Sequence, residues 1–175
     1  MGRLIVSTQM TLDGVIDVGE WYVAEGEHDR AGKAQLRDAS AVLLGRKTYE
    51  GLAAYWSPLE SDWANLINPI PKYVASRTLD GPLEWNATLL EGDATDAVAR
   101  VKAELPAYLL MFGCGELARS LLAASLVDEL RFWVHPAVWG AGVRPFQSEA
   151  QDRLKLVGSE AFDSGVTVLR YAPVG

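Results

Sequence analysis

A run of apolar strand, glycine turn and helix occurs twice in this chain, followed by a tail of strands with no helix between them. This order constrains the fold more than any other feature. The first run is Ala41-Val42-Leu43-Leu44, then Gly45-Arg46-Lys47-Thr48, then a helical stretch from Tyr49 to Tyr55. The second is Tyr108-Leu109-Leu110-Met111-Phe112, then Gly113-Cys114-Gly115-Glu116, then a helix from Leu117 to Ala123. Beyond it, Leu130–His135, Leu154–Phe162 and Val166–Tyr171 read as strands, with Asp163-Ser164-Gly165 as the hairpin turn between the last two. Alternating β and α elements with a β-rich tail predict an α/β fold. Its sheet is mixed and mostly parallel, with helices on both faces and an antiparallel C-terminal hairpin.

The rest of the chain fits this plan. Arg3–Gln9 reads as a strand entering an Asp13-Gly14 turn, and residues 17–27 as an ordered loop. Helical patterns cover 28–38 and 93–105, and a short helix at 62–68 is stopped by Pro69 and Pro71. Short strands are expected at 72–76 and 87–90. No Pro/Gly/Ser-rich linker divides the 175 residues, so a single domain is expected.

Charge and composition narrow the function. A net charge of −7 argues against general nucleic-acid binding, which depends on neutralising phosphates. No apolar run reaches the roughly 18 residues of a membrane span. The N-terminus enters a strand pattern without a signal-peptide region, so a cytoplasmic location is expected. One cysteine excludes an intrachain disulfide, and two separated histidines do not build a zinc site, so no metal is expected. His28 reads as a surface residue at a helix start, and His135 as structural.

Helix N-termini present unpaired N–H groups and positive dipole, so two glycine turns at such ends suit a pyrophosphate. Gly113-Cys114-Gly115-Glu116-Leu117-Ala118 also fits the dinucleotide fingerprint G-x-G-x-x-A. A Rossmann domain does not follow, because the remainder of the chain lacks the second βα unit and its acidic residue. Cys114 reads as a small turn residue rather than a nucleophile.

Five segments, in order, resemble the dihydrofolate reductase-like superfamily. The closer match is the branch containing the C-terminal reductase domain of the bacterial bifunctional riboflavin deaminase-reductase. The segments are Thr11-Leu12-Asp13-Gly14-Val15-Ile16, Leu44-Gly45-Arg46-Lys47-Thr48-Tyr49-Glu50, Val74-Ala75-Ser76-Arg77-Thr78-Leu79, Phe112-Gly113-Cys114-Gly115-Glu116-Leu117 and His135-Pro136-Ala137-Val138-Trp139-Gly140-Ala141-Gly142. The 175 residues carry no H-x-E with P-C-x-x-C deaminase zinc signature, so reduction without a deaminase half is expected.

The resemblance implies NADPH as cofactor. Arg46, Ser76 and Arg77 are then expected around a 2′-phosphate, where charge-assisted hydrogen bonds suit arginine, and Gly45 and Lys47 among the cofactor-binding residues. Thr48 with Gly113, Cys114, Gly115 and Glu116 is expected at the pyrophosphate, and Ile16 near the nicotinamide. Glu116 departs from the family pattern, since a carboxylate there repels phosphate unless it turns away. Asp29, on the helix after the first loop, matches the carboxylate that orients the substrate, and burial there raises a carboxyl pKa. Asp13 is its rival as the proton-handling group.

Trp21 and Tyr22 in the loop, and Trp56 after the first glycine-turn helix, are candidates to stack on a flat heterocycle. The implied function is hydride transfer to a pterin- or ribosylaminopyrimidine-like substrate by a homodimer. The alternative is a non-catalytic nucleotide- or ligand-binding protein that keeps the fold.

Overall fold

A computed structural model describes residues 2–146 and 151–174. The order of elements is β1 (Arg3–Thr11), α1 (Gly26–Asp38), β2 (Ala39–Gly45), α2 (Arg46–Trp56), α3 (Asp62–Ile67), β3 (Lys72–Ala75), β4 (Ala87–Leu89), α4 (Ala94–Glu104), β5 (Tyr108–Phe112), α5 (Glu116–Ala123), β6 (Glu129–His135), β7 (Leu154–Ala161) and β8 (Thr167–Pro173). The strand and helix types match the sequence pattern throughout. One shift matters for chemistry. Helix α2 begins at Arg46, so Arg46, Lys47 and Thr48 form its first turn rather than a loop before it.

The chain forms two compact units, each assembled from separated segments. The first comprises Lys33–Phe112 with the start of the chain up to Leu4; the second comprises Ile5–Gly32 and the chain from Gly113 onward. In the first unit all pairings are parallel: β2 lies between β3 and β5, and β4 adds to β3. Ala41, Val42, Leu43 and Leu44 are all fully buried, as expected of a parallel strand covered on both faces. Helix α4 is capped by the Asp93 carboxylate and buries Ala97 and Val98.

In the second unit β1 pairs with β6 in parallel, and β6 and β7 each pair with β8 antiparallel. The last strand therefore lies inside the tail, between β6 and β7. Trp133, Val166 and Val168 form a core cluster there, joined by Ala31 and Phe162. The hairpin turn closes as expected, with Gly165 at φ 85° and its N–H donating to the Phe162 carbonyl at 2.9 Å.

Lys72, at the start of β3, is 1% exposed and carries a charge. Its Nζ donates to the carbonyls of Asn68 and Ile70, both at 2.9 Å, and lies 4.1 Å from the centre of the Trp85 ring. These contacts offset part of the cost of burying the ammonium. Burial still pushes its pKa from 10.5 down to about 8. The native protein therefore loses this proton at lower pH than the unfolded chain does. Stability linked to Lys72 must rise as pH increases from about 8 towards 10.5. Urea unfolding of wild type and Lys72→Met across that window is the check. The wild-type stability is expected to gain on the variant above pH 8, and a constant difference refutes the assignment.

Candidate functional site

The first glycine turn, at the junction of β2 and α2, lies in the first unit. Gly45 is the N-cap of α2 and offers no side-chain cap. Its φ of −77° is open to any residue, and a Cβ there would meet nothing within 4 Å. Neither backbone strain nor protein packing requires glycine, so its effect is to leave the first amides of α2 uncovered. Helices α3 and α4 behave differently: Ser61 caps α3 and Asp93 caps α4 with their side chains.

Arg46 follows directly and is oriented from two sides. Its Nε donates to Glu50 Oε1 at 2.9 Å and its Nη1 to Thr78 Oγ1 at 2.6 Å. Ser76 Oγ accepts from the backbone N–H groups of Thr78 and Leu79, at 3.1 and 3.0 Å, and so shapes the turn after β3. The structure thus brings Arg46 and the Ser76 turn together through Thr78. Arg77 and Lys47 are exposed, and Thr48 is half-buried.

The second glycine turn, at the start of α5, lies in the second unit. Gly113 has φ 91°, which only glycine adopts without strain, and its N–H donates to the Ser7 carbonyl at 3.4 Å. Gly115 is the N-cap of α5, again without a side-chain cap and with open space where a Cβ would stand. Glu116 is exposed at the first position of the helix, where its charge complements the dipole. Cys114 is 2% exposed, and burial pushes its thiol up to about 12, with the Thr8 hydroxyl opposing more weakly. It is a packing residue. Iodoacetamide at pH 8 is expected to spare it in the native protein and to label it after unfolding; fast native labelling contradicts this.

Asp13 proves to be a clamp between two loops. Its carboxylate accepts from the Thr11 hydroxyl at 2.6 Å and from the backbone N–H groups of Trp139 and Gly140, at 3.0 and 2.8 Å. Arg144 Nη2 lies 3.8 Å away. These hydrogen bonds, the Thr11 hydroxyl first, hold the Asp13 carboxyl well below the usual carboxylate range. A carboxylate so engaged ties the two loops together and stays ionised at neutral pH. Asp17 repeats the device by accepting from Val143 N–H at 2.8 Å, and Ile16 N–H donates to the Val143 carbonyl, also at 2.8 Å. Gly142 packs so closely here that a Cβ would fall 2.5 Å from Val15.

Asp29 stands in the first turn of α1 and is 8% exposed. Glu27, in the same turn, is exposed, so dipole complementarity alone explains Glu27 but not the burial of Asp29. His28 beside it is 4% exposed, contrary to the surface position expected from sequence. Its Nε2 donates to the Val23 carbonyl at 2.7 Å, which leaves Nδ1 to accept from Ser164 Oγ at 2.8 Å.

The His28 ring lies 5.7 Å from the ring of His135. His135 Nε2 donates to Gln9 Oε1 at 2.7 Å. Burial, and then the neighbouring His28, push the His135 pKa down to about 4, so this ring is neutral at physiological pH. Trp21 is 6% exposed and meets His135 edge-on, with centroids 5.2 Å apart, while its Nε1 donates to the Asp17 carbonyl. Little of its ring surface is exposed. Tyr22 is half-buried, 5.3 Å from His135. Trp56, in the first unit, packs edge-on against Tyr55 at 4.8 Å and near Trp63 at 6.3 Å.

Sequence reasoning missed Glu50, Thr78, Gln9 and the two histidines as members of these clusters. Glu50 was findable, because it stands four residues after Arg46 once the helix is started at Arg46. The His135 to Gln9 and Asp13 to Trp139 pairings each span 126 residues and have no local signal.

The chain is similar to known proteins in sequence and in fold. The sequence model of the RibD C-terminal domain matches residues 3–168. YyaP of Bacillus subtilis (strain 168), an uncharacterised protein, is 29% identical over 182 residues, covering 97% of this chain and 94% of YyaP. A Shewanella sp. PV-4 protein assigned to riboflavin biosynthesis superposes with a TM-score of 0.76 at 20% identity, covering 99% of each chain. A pyrimidine reductase-like protein of Corynebacterium diphtheriae gives a TM-score of 0.62 at 14% identity, over 99% of this chain and 92% of that one. At these identities the two solved structures support the fold.

Proposed function

The chain belongs to the RibD C-terminal domain family, and from that premise we propose that it is an NADPH-dependent reductase of a small heterocyclic, pterin- or ribosylaminopyrimidine-like substrate. The observation that carries this reading is the contrast among helix starts. Helices α2 and α5 have glycine N-caps, with no side-chain cap and with room where a Cβ would stand, while α3 and α4 are capped by side chains. Such ends accept phosphate oxygens. Arg46, Ser76 and Thr78 then suit the 2′-phosphate, and the Gly113–Glu116 turn the pyrophosphate.

A bound reduced nicotinamide supplies the hydride. The chain's own residues bind and orient. Asp29 is proposed to hold the heterocycle through its N–H edge and to handle the proton, while the Asp13 carboxylate is engaged by Thr11, Trp139 and Gly140. His135 and Gln9 set the position of Trp21 and Tyr22, and the buried aromatic cluster keeps water from that side of α1. The protein is proposed to act as a cytoplasmic homodimer, which light scattering tests. Among the described residues, no helix is long and apolar enough to cross a membrane.

Glu116 favours a second reading, a non-catalytic nucleotide-binding protein, because its charge stands at the start of α5. Paired titration with NADPH and NADH, read by the fluorescence of the six tryptophans, tests the cofactor. Tighter binding of NADPH is expected; binding of neither removes the reductase. Oxidation of NADPH by any of a panel of pterins and aminopyrimidines separates the two readings.

A further inference from the structure

The guanidinium of Arg46 is partly occupied before any ligand arrives. Arg46 is the first residue of α2 and Glu50 stands four residues on, on the same face of the helix. Glu50 Oε1 takes the Nε–H at 2.9 Å and Thr78 Oγ1 takes an Nη1–H at 2.6 Å. Both side chains of the ion pair are 47% exposed. A guanidinium binds phosphate best through two parallel N–H groups on one edge. On the Nε/Nη2 edge, one of those two groups is already held by a carboxylate.

We infer that Glu50 is an internal competitor for Arg46, occupying with a carboxylate the Nε position that a 2′-phosphate would take. It thereby sets how strongly this protein prefers a 2′-phosphorylated nicotinamide cofactor. The inference rests on the NADPH reading above.

The two partners of Arg46 differ in what they oppose. Thr78 is neutral, leaves the second Nη1–H free for a ligand and adds no repulsion. Glu50 carries a charge of the same sign as the phosphate. An exposed pair at i,i+4 spacing is weak, so a phosphate dianion displaces it readily. Its charge nevertheless remains on the same helix face after displacement and continues to repel. The cofactor lacking the 2′-phosphate makes no use of Arg46 and does not encounter this competition. Glu50 therefore acts on discrimination between the two cofactors rather than on affinity for both.

Glu50→Gln tests this, because glutamine keeps an oxygen for the Nε–H and removes the charge. NADP+ and NAD+ are titrated calorimetrically into wild type, Glu50→Gln, Arg46→Ala and the double variant, at low and high salt. The expected result is NADP+ binding tightened about threefold to tenfold in Glu50→Gln, with NAD+ unchanged. The gain shrinks at high salt, and in the Arg46→Ala background only the part due to charge repulsion remains, without the part due to competition for the Nε–H. Unchanged or weaker NADP+ binding in Glu50→Gln, or equal gains for both cofactors, overturns the role of Glu50. If wild type still prefers NADP+ in that case, the cofactor reading stands. A wild type with no preference for NADP+ overturns the cofactor reading and the competitor with it.

Discussion

Arg46→Ala is expected to weaken NADPH by about 1–3 kcal/mol, the value of a charge-assisted contact, and to leave NADH nearly unchanged. The effect is large because the guanidinium is placed rather than merely present. Thr78 orients it from the side of the Ser76 turn, so less side-chain entropy remains to be lost when a phosphate binds. The net charge of −7 sharpens the expectation. An acidic protein attracts a phosphorylated cofactor through few local cations, and removing one leaves Glu50 unopposed beside the phosphate. Parallel fluorescence titrations of both cofactors decide the matter. Equal losses for NADPH and NADH would assign Arg46 to helix stability instead.

Asp29→Asn is expected to preserve NADPH binding and to lower turnover by about 100-fold or more, the usual contribution of a positioned proton-handling group. Asparagine is nearly isosteric, so the packing around α1 survives while the ionisable oxygen is lost. The contrast with Asp13 gives the prediction its force. Asp13 spends its oxygens on Thr11, Trp139 and Gly140, whereas Asp29 is the buried carboxylate of the α1 first turn. The measurement is kcat and its pH profile for wild type and variant, on whichever heterocycle the wild type reduces. Full turnover in Asp29→Asn with an unaltered pH profile would move the proton step to water or to another residue.

Most of the fold was legible because each element announces itself within a few residues. The fully apolar Ala41–Leu44 run reads as a strand buried on both faces, and it is one. The boundaries that moved were helix starts: α2 begins at Arg46 and α1 at Gly26, two residues before the expected His28. Helix starts are set by which amides lack partners, and the glycine N-cap of α2 supplies no side chain to mark the place.

The sequence by itself determined the alternation of elements, the antiparallel tail, the two glycine turns and the family. All of these rest on periodicity, turn chemistry and motif order, which act over short stretches of chain. Only the tertiary structure decided which of two aspartates is clamped, that His28 is buried against His135, and that Trp21 is packed rather than open. It alone showed Thr78, 32 residues along the chain, holding Arg46. Those outcomes depend on hydrogen bonds and ring contacts between segments as far as 136 residues apart. A carboxylate that clamps a distant loop and one buried in the first turn of a helix have the same local sequence signature. The difference lies in which N–H groups the fold brings to them.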